Sequence, residues 1–94
     1  MKKVWKYDIP LHGDFELELP NDTKILCIKE QKGLPKMWMS VPQDVSPHQM
    51  KKFKFKIVMT GEAYDEDLVG HYVGSFQIEG GHTYVGHLFR KGAQ

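Results

Sequence analysis

The sequence is poor in the features that usually betray a function. It has one cysteine, Cys27, so no disulfide can form within a chain, and the simplest setting is a reducing one. With no second thiol beside it, Cys27 is expected to serve as a small buried hydrophobe. An excess of charge is missing too: 13 Lys and Arg stand against 12 Asp and Glu, a formal charge of +1. That balance supplies no general pull toward nucleic acid or an anionic membrane. No apolar run approaches the roughly 20 residues that cross a bilayer. The opening Met1-Lys2-Lys3-Val4-Trp5-Lys6 lacks the apolar stretch of an export signal, so the expected location is the cytoplasm. Repeats and low-complexity tracts are absent as well.

What the sequence does have is alternation. Phe15-Glu16-Leu17-Glu18-Leu19 switches between apolar and polar residues at every step, and Lys52-Phe53-Lys54-Phe55-Lys56-Ile57-Val58-Met59 does so up to Ile57. A period of two is the mark of a half-buried strand, whereas a helix would scatter these phenylalanines around its circumference. Phe53, Phe55, Ile57 and Met59 are thus assigned to one face and the lysines to the other. Turn residues recur at His12-Gly13-Asp14, Pro20-Asn21-Asp22, Lys32-Gly33, Gly61, Gly70 and Gly80-Gly81. Between them lie about seven strands, near residues 2–9, 15–19, 24–31, 36–41, 51–60, 71–79 and 82–90. Met37 and Met39 around Trp38 mark the fourth as central or at an interface. Pro42 and Pro47 take residues 42–49 out of the sheet. Residues 62–69 suit one short helical turn.

The fold expected is all-β and mostly antiparallel, a small sandwich or barrel formed as one domain over residues 1–94. A chain this short buries only about two thirds of its unfolded surface, which favours oligomerisation. Gly92-Ala93-Gln94 is expected to fray.

Gly80-Gly81 reads as a two-residue hairpin turn, which fixes a register. Phe76 then faces Val85, Gly74 faces His87 and Tyr72 faces Phe89. One face would carry Tyr72, Gly74, Phe76, Ile78, Thr83, Val85, His87 and Phe89, apolar except for Thr83 and His87. His87 becomes the odd polar residue, with space beside it where Gly74 lacks a side chain.

Five histidines are present, but His12, His48, His71, His82 and His87 include no HxH or HxxxH pair, so no metal site is expected. No nucleophile elbow surrounds Ser75 or Cys27. Asp65, Glu66 and Asp67 read as a solvated loop. The mixture of Lys51, Lys52, Lys54 and Lys56 with Phe53 and Phe55 resembles a single-strand nucleic-acid platform, yet alternation sends the cations and the rings to opposite faces. Nucleic acid is therefore an unlikely partner. Lysines on an outer face also protect a strand from edge pairing.

Assembled, the segments resemble a family of short phage and prophage proteins. The residues that carry the likeness are Val4-Trp5-Lys6-Tyr7, Lys24-Ile25-Leu26, the run from Gln31 to Trp38, Thr60-Gly61, Tyr72-Val73-Gly74-Ser75-Phe76-Gln77, Gly80-Gly81 and Val85-Gly86-His87-Leu88-Phe89. The chain departs from that pattern at Glu62, where the family has a histidine, and at Arg90, where it has an acidic residue. The resemblance implies a phage origin and action inside the host cytoplasm.

The leading expectation is a non-enzymatic, oligomeric binding protein that antagonises a host defence, by sequestering a nucleotide-type signal or by blocking a host protein. Its pocket would use Trp5, Tyr84 and His87 to meet a base and Lys54 and Lys56 to meet phosphate. No catalytic residue, metal or cofactor is assigned. The alternatives are a small metal-dependent hydrolase built on Asp65, Glu66 and His87, and a virion-accessory or interaction protein.

Overall fold

In a computed structural model, residues 1–44, 49–79 and 83–91 are described, Val69 and Gly70 by their backbone alone. They form seven antiparallel strands: β1 (Lys2–Asp8), β2 (Gly13–Pro20), β3 (Lys24–Gln31), β4 (Leu34–Pro42), β5 (Met50–Met59), β6 (Tyr72–Ile78) and β7 (Tyr84–Lys91). One 3-10 turn, Glu66–His71, precedes β6. Two sheets result, ordered β1-β4-β3 and β2-β5-β7-β6. The all-β antiparallel architecture read from alternation is the one observed. It is a two-sheet sandwich and not a closed barrel: β3 runs close to β6, while β1 and β2 end their sheets. Among the described residues no helix is long and apolar enough to cross a membrane.

The core lies between the sheets. Met37, Met39 and Val41 from β4 and Ile28 from β3 meet Phe53, Phe55, Ile57, Leu19, Phe76 and Leu88 from the second sheet. β4 is the central strand of its sheet, as Met37 and Met39 around Trp38 indicate, and both methionines are fully buried. Phe53, Phe55 and Ile57 face inward as expected, but Met59, at the strand's end, is exposed.

Two bulges redirect side chains, and each overturns an expectation. In β3 the register slips between Ile25 and Cys27, so Leu26 is an extra residue and Cys27 pairs with Trp38 on the outer face. Cys27 is consequently exposed, not a buried hydrophobe.

In the β6–β7 hairpin, Ile78 pairs with Tyr84, Phe76 with Gly86, Ser75 with His87 and Gly74 with Leu88. This is one residue away from the register of a two-residue turn at Gly80-Gly81, which itself lies outside the described residues, as does His82. A one-residue slip exchanges the faces. Phe76, Gly86, Leu88 and Tyr84 therefore point to the core side, and His87 and Val85 point outward. Gly74 opens no space beside His87: a side chain there would meet Ile28 Cγ2 at 3.0 Å. A second slip, between Tyr72 and Gly74, returns Tyr72 to the outer face beside Phe89.

Pro42 is still in the sheet, closing β4 opposite Lys2, so the chain leaves the sheet only after it and not at Pro42 as expected. Residues 45–48 of that connection and the last three residues, 92–94, fall outside the described chain.

Candidate functional site

The outer face of the four-stranded sheet carries a second, smaller apolar cluster, Val58, Leu68 and Phe89. Its cover is the segment between β5 and β6. Asp65 caps the 3-10 turn there, accepting a hydrogen bond from the Asp67 amide at 3.0 Å. That accounts for one member of the acidic run: the carboxylate satisfies an orphan amide at the start of the turn. Leu68 then drops onto Val58 and Phe89, which explains why Val58 is buried on the face that alternation assigns to lysines.

Beside this cluster is an open cleft of about 440 Å³. One wall is a tight turn after β5. The Glu62 amide donates to the Met59 carbonyl at 2.9 Å, and Gly61 has φ +92°, the left-handed conformation that favours glycine at that turn position. The Met59 amide in turn donates to Glu62 Oε1 at 2.9 Å. The Thr60 amide donates to the Val85 carbonyl at 3.1 Å, tying the turn to β7.

The anchored turn holds Thr60 Oγ1 2.6 Å from His87 Nε2. On the ring's other side the Tyr72 hydroxyl lies 3.1 Å from Nδ1. Both ring nitrogens of His87 are thus met by hydroxyls, and a hydroxyl rotates to donate or accept, so either neutral tautomer is accommodated. The opposite wall is aromatic. Phe89 meets Tyr64 at a centroid distance of 4.9 Å and the edge of Tyr72 at 5.2 Å. Tyr64 and Tyr72 are 41% and 49% exposed, and both line the cleft.

Glu62 forms the polar rim. Both its carboxylate oxygens lie within 2.9 Å of His12 Nε2, joining the rim to the connection between β1 and β2. The Met59 amide, then the His12 hydrogen bond, hold the Glu62 carboxyl below its ordinary pKa, and Lys56 adds a smaller attraction. Tyr84 donates to the Leu11 carbonyl in the same connection. Burial, with Glu62's charge as the second cause, raises its phenol pKa.

The five residues expected to form a pocket are not gathered in one place. His87 lines the cleft. Lys56 is the cross-strand neighbour of Phe89 on the same face. Lys54 lies further along that face with Glu16 directly opposite, their charged groups 4.0 Å apart. Tyr84 is on the inner face, beside Phe76. Trp5 belongs to the other sheet, where its ring lies 6.2 Å from that of Tyr7. Sequence reading missed Thr60 and Glu62 as members of one site. The available signal was Thr60-Gly61 as turn punctuation closing a strand; the rest depends on a register that the bulges set.

Asp65 and Glu66, paired with His87 in the hydrolase alternative, are not among the residues lining the cleft. Among the described residues no three of His, Cys, Asp and Glu converge where they could hold a metal ion.

Comparison with known families matches the entire chain, residues 1–94, to a domain of unknown function, DUF7352, and the chain belongs to that family. No curated protein and no solved structure matches it.

Proposed function

We propose that the protein is a non-enzymatic binding protein that holds a small, flat, nucleotide-type ligand in the cleft beside His87. The observation that carries this reading is the pairing of an open aromatic wall, Tyr64, Tyr72 and Phe89, with a small convergent polar set, Thr60, His87 and Glu62. A mostly apolar cleft with a few polar groups that fix orientation is the usual form of a small-molecule site. A base stacks on the tyrosines, and its edge meets hydroxyl, imidazole and carboxylate groups that offer both donors and acceptors. Lys56, the cross-strand neighbour of Phe89, supplies a cation on the same face for a phosphate leaving that wall.

Thr60 and His87 also have the spacing of a nucleophile and its base. In acyl-transfer triads the base's second nitrogen is met by a carboxylate that stabilises the imidazolium. Here a phenol takes that place, which favours holding a ligand over transforming it.

The resemblance to phage and prophage proteins supports a setting in the infected cell. Sequestering a nucleotide signal in the host cytoplasm would there antagonise a defence response, with the blocking of a host protein as the other route to the same end.

The test is thermal denaturation against a panel of mono-, cyclic and dinucleotides, paired with native mass spectrometry of protein drawn from host lysate. A ligand at about 100 times its Kd stabilises by about 2.7 kcal/mol, roughly a 10–20 °C rise in Tm for a chain of this size. Tyr64→Ala and Lys56→Ala each reduce that rise. A retained ligand recovered intact supports sequestration; recovery of a cleaved product shifts the reading to a hydrolase. No retained mass and no shift with any nucleotide would refute the proposal.

A further inference from the structure

We infer that the chain associates head to tail with further copies of itself, β1 of one copy adding to β2 of the next. This inference is independent of the ligand. Among the described residues β1 and β2 are the terminal strands of their sheets, each hydrogen-bonded on one side only. The phase of each ladder identifies which backbone groups are left over. Gln43 donates to the Met1 carbonyl and Ile9 to the Pro35 carbonyl, in line with the β1–β4 register. The odd residues of β1 therefore bond to β4, and the amides and carbonyls of Lys2, Val4, Lys6 and Asp8 face the free edge. Asn21 donates to the Gln49 carbonyl in line with the β2–β5 register. By the same logic, Asp14, Glu16, Glu18 and Pro20 face the free edge of β2. Pro20, which has no amide proton, fits such a position.

The two edges carry opposite charge. Pairing β1 with another β1 about Val4 sets Lys2 against Lys6, while pairing about Trp5 leaves Lys6 opposite Val4 with no charge to meet. Pairing β2 with another β2 sets carboxylates against carboxylates, and like charges directly opposite repel. Pairing β1 antiparallel with β2 of the next copy avoids both clashes. With Lys6 opposite Asp14 of the next copy, Lys2 falls opposite its Glu18. Asp14 also meets Lys91 at 3.2 Å within its own chain, but it is exposed enough to accept a second cation. The same register places Trp5 opposite Phe15 of the next copy on the inner face. Both rings are only partly buried in the single chain, so the joint covers apolar surface as well as pairing charge. Because the two joined surfaces differ, the contact repeats from copy to copy, closing a ring or extending a filament.

Sedimentation velocity over a concentration series, at low and raised salt, tests this. The wild-type chain is expected to associate with concentration, and salt is expected to weaken the association. Lys6→Glu and Asp14→Lys, both at exposed edge positions, should each weaken it about tenfold or more, with circular dichroism reporting an unchanged strand content. The two substitutions combined in one chain restore opposite charges across the joint and should restore assembly. A wild-type chain that sediments as a monomer at every concentration overturns the inference, as does assembly that survives both single substitutions or is not recovered by the double one.

Discussion

Replacing Gly86 with alanine puts a methyl group where the Phe76 ring already lies. Phe76 is the direct cross-strand partner of Gly86 and is buried in the main core. A Cβ built on Gly86 would sit 2.4 Å from Cζ of that ring and 2.7 Å from Cε1, well inside contact distance. The ring cannot swing away freely, because it also packs against Tyr84 at a centroid distance of 6.1 Å. Overpacking of this kind costs about 1–3 kcal/mol, and so close an approach belongs at the upper end. Against this, alanine regains roughly 0.5–1 kcal/mol that glycine loses within a strand. The net cost is about 2 kcal/mol, a fall in Tm of roughly 8–16 °C at about 4–8 °C per kcal/mol. The assay is thermal and urea denaturation of a double-mutant cycle. If the Phe76 ring is the obstacle, Gly86→Ala costs far less in a Phe76→Leu background than in the wild type. A Tm within about 2 °C of wild type, against the roughly 4–8 °C that a single kcal/mol would produce, refutes the packing argument. So does an equal cost in both backgrounds.

Glu62→Gln tests the rim's electrostatics. The folded pKa of Glu62 lies below the ordinary value of 4.5, so its charged form stabilises the fold above that value. That contribution is lost as pH falls through the lowered folded pKa. The Tm difference between wild type and Glu62→Gln should accordingly be full near neutrality and shrink in acid; a difference that grows on acidification contradicts the assignment. Cys27, exposed by the β3 bulge, should react with an aromatic disulfide reagent in the native state as fast as in urea-unfolded chain. Native protection of that thiol by a large factor would mean that the bulge is not where the register shows it.

Strands were legible because they need little information beyond alternation and punctuation. β3 has the same limits in sequence and structure, 24–31, and the other strands differ by at most two residues at either end. Phe53, Phe55 and Ile57 are in the core for the reason that the pattern gives: every second residue of a half-buried strand faces inward. Cys27 shows where that rule stops. Ile25 and Ile28 both contribute to the core although three positions separate them, because Leu26 is an added residue in the strand. Nothing in Lys24-Ile25-Leu26-Cys27-Ile28 marks which of its apolar residues is the extra one; the partner strand decides, and it lies ten residues on. His87 is misplaced by the same kind of error at longer reach, since Gly80-Gly81 suggests a turn length that the paired residues do not follow. Lys54 and Lys56, correctly assigned to the outer face, look like a free cationic strip until Glu16 and Asp14 are seen directly across from them.

The cleft depends on these irregularities. In an unbroken β6, Tyr72 would share the inward face of Gly74 and Phe76, and its hydroxyl would be buried away from His87. The slip between Tyr72 and Gly74 brings it round to Phe89 and to Nδ1 of His87. An unbroken β5 would likewise carry Thr60 along the strand, whereas the glycine turn at Gly61 lets its hydroxyl reach Nε2. Both contacts to His87 are therefore made by residues at strand ends, where the ladder's regular spacing is given up. Regular alternation builds the core, and a residue bound by it has its direction fixed by the sheet. A set of groups that converges on one point needs directions that the sheet does not supply, so bulges and tight turns are where such a set is built. The residues hardest to place from the sequence are for that reason the ones that line the cleft.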